Sequence, residues 1–279
     1  MKKYRLAKRV ELAVAKASFI LRDDVLRLLK RAEKQETNKK AKKALSWILE
    51  NVKVAAFKKL AICQDTGFPV VFIEAGKNLK VSSAIIELIK KGVESGYRNN
   101  YLRASIVDPL KRNKSSYRGI IYHLDFCAKK KGLKITILPK GFGSENKTRL
   151  KMFNPTVGLK DIEDFVVESV RRAGPEGCPP FVVGVGIGGT SDFTLTLAKK
   201  ALLMPLDKPN LDKLLNKLEK SLLKKINSLK IGPMGLGGKV TCLAVKIKKN
   251  PTHIAGLPVG VNISCYALRS ASVKLQNFN

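Results

Sequence analysis

The five cysteines fall into two kinds according to the residues around them. Cys63 in Ala-Ile-Cys-Gln-Asp-Thr-Gly, Cys178 in Glu-Gly-Cys-Pro-Pro and Cys265 in Val-Asn-Ile-Ser-Cys-Tyr-Ala each stand where an apolar run meets a loop. Glycine and proline deny such positions a regular helix or ladder, which leaves their thiols at loop tips. Cys127 in Asp-Phe-Cys-Ala and Cys242 in Val-Thr-Cys-Leu read instead as small buried hydrophobes. Three loop thiols far apart in sequence point to one shared ligand assembled by the fold. The sharpest candidate for that ligand is an iron–sulfur cluster with one iron left open.

Other chemistry-bearing residues also sit in glycine-rich loops. Lys140-Gly-Phe-Gly-Ser-Glu-Asn146 places Ser144, Glu145 and Asn146 on a turn, either as a capped loop or as a substrate-orienting one. Gly184-Val-Gly-Ile-Gly-Gly-Thr190 is a strand opening through glycines into a helix, a geometry suited to an anion. Its glycine spacing misses the dinucleotide fingerprint by a residue, and no second strand ending in an acid follows. Gly232-Pro-Met-Gly-Leu-Gly-Gly-Lys239 fails as a phosphate loop because Val240 stands where Ser or Thr is required. Tight turns account for both loops as well as ligand binding does. His253, in Pro-Thr-His-Ile-Ala between two apolar strands, reads on its own as a hydrogen-bonded structural residue.

Elements able to position these loops follow from the periodicity. Apolar residues at helical spacing run through 8–60, with Thr37-Asn38 as a cap before Ala41, Ala44, Leu45, Ile48 and Leu49. A further amphipathic helix is predicted at 82–96, and others at 160–173, 192–203 and 210–228. Strands are predicted at 68–74, 119–125, 134–139, 181–187, 240–247 and 257–264. Without repeats or a long linker, the chain reads as one α+β (mixed α/β) domain over 1–279. A helical N-terminal lobe of about 60 residues precedes a mixed sheet with flanking helices and glycine-rich loops.

At 279 residues and 44% apolar composition, the chain can bury a sizeable core. No apolar stretch approaches the roughly 18 residues of a bilayer span. Lys8, Arg9, Glu11 and Lys16 spoil a signal-peptide core, so the expected location is cytoplasmic, where five cysteines are thiols or metal ligands. A formal charge of +32 usually marks a nucleic-acid binder. Here the lysines are scattered, outnumber arginine roughly three to one, and come with only 6% aromatics. Base readers rely on arginine and on stacking rings, so the composition disfavours nucleic acid. A lysine-rich surface would also suit an anionic substrate or an acidic partner chain.

Taken together, Cys63-Gln-Asp-Thr-Gly67, the 140–146 loop, Cys178-Pro-Pro180, the two glycine loops and Pro251-Thr-His-Ile-Ala followed by Cys265 occur in one order. That order resembles the α subunit, or N-terminal domain, of class I iron–sulfur fumarate hydratases and L-tartrate dehydratases, over nearly the whole chain. The resemblance implies that Cys63, Cys178 and Cys265 hold a [4Fe–4S] cluster whose fourth iron acts as a Lewis acid on a small dicarboxylate. It further implies that Gln64 and Asp65 contact substrate, Arg103 clamps a carboxylate, Gly143 offers a backbone contact and His253 stands beside the site. Lys140, Ser144 and Asn146 are lesser candidates. The family has His where this chain has Tyr266, and a longer loop where this chain reads Lys114-Ser-Ser-Tyr-Arg-Gly119. Fused members carry further arginines, a lysine and a threonine base in a second domain. By resemblance this chain therefore supplies half a site and needs a β subunit, expected as an α2β2 assembly. The leading expectation is reversible hydration of fumarate to (S)-malate, a tricarboxylic acid cycle step. Dehydration of L-tartrate to oxaloacetate shares every motif quoted, and a basic nucleic-acid-binding protein on a degenerate hydratase fold is the non-enzyme alternative.

Overall fold

The computed structural model describes residues 2–77, 79–128 and 131–275. In chain order the elements are α1 (Lys2–Phe19), α2 (Asp23–Gln35), α3 (Lys39–Lys58), β1 (Phe68–Gly76), α4 (Ser83–Asn99), β2 (Ile121–Cys127), β3 (Leu133–Lys140) and α5 (Phe142–Glu145). They continue as β4 (Arg149–Phe153), α6 (Leu159–Ala173), β5 (Phe181–Ile187), α7 (Ser191–Leu202), α8 (Lys213–Asn227), β6 (Cys242–Lys249), β7 (Leu257–Ser264) and β8 (Ala271–Leu275). The fold is mixed α/β, with N-terminal helices followed by two mixed four-stranded sheets and their flanking helices. Its contacts gather into two compact units. One holds the chain up to Arg22, Val52–Gly141 and the residues from Arg269 onward; the other holds Asp23–Asn51 and Phe142–Leu268. No helix among the described residues is long and apolar enough to cross a membrane.

In the first unit the sheet order is β2-β1-β3-β8. β1 runs parallel to β2 and antiparallel to β3, which pairs antiparallel with β8. Helices α1 and α4 bury one face against this sheet, through Val10, Val14, Ile89 and Val93 over Val71, Ile73, Ile135 and Ile137. β2 is an edge strand, so its residues are only partly covered. Cys127 at its end is correspondingly half-buried, where the sequence pattern predicts a buried position.

The second unit carries the sheet β4-β7-β5-β6, with β5 parallel to β6 and the other pairs antiparallel. α7 lies directly on β5, and this explains two of the glycines in the 184–190 motif. A Cβ at Gly186 would stand 2.9 Å from the Ala198 nitrogen, and one at Gly184 would stand 3.0 Å from Leu202 Cγ. These glycines sit inside the strand and let a helix approach; only Gly188 and Gly189 form the turn.

Element ends follow local chemistry. Asn38 Oδ1 accepts from the Ala41 N–H at 3.1 Å and opens α3, as the Thr37-Asn38 signal predicts. Asp212 opens α8 by accepting from the Leu214 and Leu215 N–H groups. β5 and β7 coincide with the predicted strands at 181–187 and 257–264. β6 starts at Cys242 and not at 240, because Asn227 Oδ1 accepts from the Thr241 and Cys242 N–H groups and ends the preceding turn there. β4, β8 and the single-turn α5 are not predicted by the sequence pattern. Each is only four or five residues long, too short for the alternation in Arg149-Leu-Lys-Met152 or Ala271-Ser-Val-Lys-Leu275 to stand out.

Candidate active site

In the first unit, Cys63 sits half-buried in the loop between α3 and β1. The residues after it are held from several sides. Gly67 donates its N–H to Asp65 Oδ1 at 2.9 Å, closing a tight Asx turn. Gly67 has φ +83°, and a Cβ there would lie 2.6 Å from the Pro139 carbonyl carbon, so only glycine passes beneath the end of β3. The buried Tyr97 hydroxyl from α4 donates to the Gly67 carbonyl at 2.9 Å and faces the Thr66 carbonyl at 3.2 Å. Burial raises the Tyr97 phenol well above its ordinary range, so it stays a neutral donor. The Thr66 hydroxyl, itself buried, accepts from the Arg103 N–H at 3.1 Å. Gln64 and the Arg103 side chain are left exposed.

The first unit thus brings Arg103 to the Cys63-Gln64-Asp65 turn through the hydrogen bond from its N–H to Thr66. Gly141 joins them, since a Cβ there would meet Asp65 Oδ2 at 3.3 Å. Lys140 is among the largest fully buried side chains, and its Nζ reaches the Gly141 carbonyl at 3.3 Å.

In the second unit, Cys178 is exposed and has a left-handed backbone, φ 57° and ψ 68°, at the end of a single 3₁₀ turn. A non-glycine residue in that conformation is uncommon, and here hydrogen bonds surround it. Its N–H donates to the Pro175 carbonyl at 3.0 Å, and its carbonyl accepts from the Tyr266 N–H at 3.4 Å. The Cys178 and Cys265 loops are therefore in contact through main chain. Tyr266 contributes its backbone N–H to that contact. The Met234 N–H donates to the Pro179 carbonyl at 2.8 Å, adding the 232–239 glycine loop to the same group.

That glycine loop does hold an anion, but an internal one. Glu36 is 2% exposed. Its Oε2 accepts from the Lys239 N–H at 2.8 Å and the Val240 N–H at 3.4 Å. Its Oε1 accepts from the Thr37 and Asn38 N–H groups at 2.8 and 2.9 Å. Donors that a phosphate would use are already taken by this carboxylate, which sequence reasoning misses. The available signal is an acid at the end of α2, directly before the Thr-Asn cap.

Gly143 lies in α5, and among the described residues nothing stands within 4 Å of where a Cβ would be. Ser144 beside it is buried, and Asn146 is exposed. Glu145 anchors α5 by accepting from Asn262 Nδ2 at 2.8 Å and pairing with Lys199 at 2.5 Å. His253 is exposed on the loop between β6 and β7. Its Nδ1 accepts from the Ala255 N–H at 3.2 Å, and its loop is tied to the Gly188-Gly189 turn through the Gly189 N–H and the Pro251 carbonyl.

Among the described residues no group of three or more His, Cys, Asp or Glu stands close enough to hold a single metal ion. A cluster makes a different demand, because each thiolate binds its own iron and the sulfurs stay apart. The thiols available for such a group are Cys63, Cys178 and Cys265, exposed or half-buried on loops, while Cys127 is half-buried at the end of edge strand β2 and Cys242 is enclosed. Burial pushes the Cys242 thiol up to about 12, which removes it as a thiolate ligand.

A family model described as fumarate hydratase (fumerase) matches residues 7–274. The chain belongs to that family of hydro-lyases, which uses an iron–sulfur cluster. A Methanocaldococcus jannaschii chain provisionally named L(+)-tartrate dehydratase subunit alpha is 43% identical over 267 residues, covering 93% of this chain and 94% of that one. The L(+)-tartrate dehydratase subunit alpha of Escherichia coli K12 is 27% identical over 255 residues, covering 90% and 84%. Within the family, then, this is an α-subunit chain.

Proposed function

We propose that this chain is the α subunit of an iron–sulfur dehydratase acting on a 2-hydroxy dicarboxylate, with L-tartrate as substrate. The observation that carries the reading is the 43% identity, over nearly the full length of both chains, to a protein named for tartrate dehydration. The E. coli α subunit named for the same reaction points the same way. Fumarate hydration, the leading expectation from sequence, becomes the second reading. The description of the family model favours it.

Cys63, Cys178 and Cys265 would hold the cluster. When bound, a cluster with one iron lacking a protein ligand supplies a Lewis acid for the departing hydroxyl. Arg103, exposed and fixed by its main chain to Thr66, offers a guanidinium fork to one substrate carboxylate. Gln64 and the Asp65 carboxylate lie on the adjoining turn and orient the substrate's hydroxyl-bearing carbon. Gly143 offers a backbone contact, and His253 is an accessible acid–base group. Elimination removes hydroxide from one carbon and a proton from its neighbour; from tartrate the resulting enol rearranges to a keto acid. Proton abstraction is assigned to a β subunit, which the naming of the relatives as α subunits implies. An α2β2 assembly is the form expected from two-fold closure. The lysine-rich surface favours docking to an acidic β chain, and an oxygen-sensitive cluster suits the cytoplasm.

The test is steady-state turnover by the cluster-reconstituted chain with its β subunit, on L-tartrate, (S)-malate and fumarate. The reading predicts the highest kcat/KM for L-tartrate and no turnover by the α chain alone. Preference for fumarate and malate would replace it with the second reading. Turnover of none of the three would remove both.

A further inference from the structure

Arg269 is a charged residue in the otherwise apolar and small-residue stretch Tyr266-Ala-Leu-Arg-Ser-Ala-Ser272. It is 3% exposed. Burying a guanidinium is costly unless its N–H groups find acceptors. One does: Nη2 donates to the main-chain carbonyl of Asp65. Nε, equally buried, has no hydrogen-bond partner among the described residues. A buried cation satisfied this sparingly is a poor choice for stability alone, and buried polar groups left unpaired in this way call for an explanation.

The contact it makes supplies one. The Asp65, Thr66 and Gly67 carbonyls are consecutive, and each faces a side-chain donor. Arg269 serves the first, and the Tyr97 hydroxyl stands within 3.2 Å of the second and 2.9 Å of the third. The same turn presents the Thr66 hydroxyl to the Arg103 N–H. A peptide unit with its carbonyl pinned cannot rotate, so the Asp65 carboxylate and the Thr66 hydroxyl keep their directions. We propose that Arg269 is a positioning residue of this site: it locks the turn after Cys63 and, through Thr66, the backbone of Arg103. This rests on the reading of Cys63, Asp65 and Arg103 as site residues. It adds a residue that no motif of the sequence analysis contained.

The experiment compares the wild-type chain with R269M, which keeps the stem and removes the donors, and R269K, which keeps one donor and the charge. Amide hydrogen exchange on the cluster-free chain is the first readout. In R269M the Gly67 and Arg103 amides should exchange about tenfold faster or more, the scale of one charge-assisted hydrogen bond, with the rest of the first unit unchanged. R269K should stay within about threefold of wild type, since one ammonium donor replaces one guanidinium donor. The second readout is kinetics with the β subunit. R269M should lose about tenfold or more in kcat with a smaller change in KM, and R269K should recover most of it.

Unchanged exchange at Gly67 and Arg103, or faster exchange spread evenly over the unit, would overturn the proposal. Localised loosening with wild-type kcat would overturn it too. If R269M does not fold, R269K decides: a protected turn with near-normal kcat supports the proposal, and a loosened unit sinks it. Failure of the wild-type enzyme to turn over any dicarboxylate would instead count against the functional reading, and leaves the exchange result standing by itself.

Discussion

Glu36→Gln changes one atom type and almost no volume, and it isolates the internal anion that closes the 232–239 loop. In the wild-type chain the two carboxylate oxygens each accept from two backbone N–H groups. A glutamine has one oxygen to offer. Whichever way its amide turns, the NH₂ group faces a pair of N–H donors, and those donors lose their acceptor in a pocket where the side chain is 2% exposed. Leaving a buried donor unsatisfied costs about 1–3 kcal/mol, and bonds to a charged acceptor lie toward the top of that range. Because the Val240 contact is long at 3.4 Å, the cheaper orientation turns the NH₂ toward Lys239 and Val240, at a total of about 3 kcal/mol. At about 2–4 °C per kcal/mol for a folding unit of this size, the melting temperature of the cluster-free chain should fall by about 6–12 °C. Circular dichroism melts of wild type, E36Q and E36A provide the assay. Since this loop also donates the Met234 N–H to the Pro179 carbonyl next to Cys178, E36Q should load iron poorly as well. A melt of E36Q within about 2 °C of wild type would refute the argument that this carboxylate satisfies the loop.

Iodoacetamide at mildly alkaline pH should modify Cys178 first in the cluster-free chain and leave Cys242 untouched, because Cys178 is exposed and burial pushes Cys242 up to about 12; mass spectrometry showing early Cys242 alkylation would contradict this. The Lys246–Glu219 pair, 3.1 Å apart and about 95% buried on both sides, should make K246M destabilising by about 3 kcal/mol in urea titration, with K246M/E219L recovering part of the loss. The low end of the range applies because Asn210 and the Ile247 N–H still bind Glu219. Arg103→Lys should lower kcat/KM about tenfold or more while iron content stays constant, since the change removes the fork and leaves the backbone bond to Thr66 in place.

The strands β5 and β7 were legible because they are buried on both sides and read as continuous apolar runs, Phe181-Val-Val and Val259-Gly-Val. α3 was legible because Asn38 announces its start; α8 was legible from its apolar periodicity alone, and it starts at Lys213, later than the expected 210, where Asp212 caps it. β4 and β8 were not, since five-residue edge strands give an alternation too brief to separate from the loops around them. In the proposed site, the three loop cysteines and the Asp65 turn stood out through glycine and proline. Arg269 and Glu36 did not, because their roles depend on backbone groups distant in sequence, which no local spacing encodes. The glycines at 184 and 186 carried a false signal: their reason is the close approach of α7.

The central proposal is that Cys63, Cys178 and Cys265 together hold the cluster of a hydro-lyase. Iron and sulfide content after anaerobic reconstitution, measured on wild type and on single serine variants of each of the three, tests it most directly. The account predicts about four irons per wild-type chain, and little iron in C63S, C178S or C265S, while C127A and C242A load as wild type does. Full loading of C178S, or a wild-type chain that takes up no iron, would contradict it.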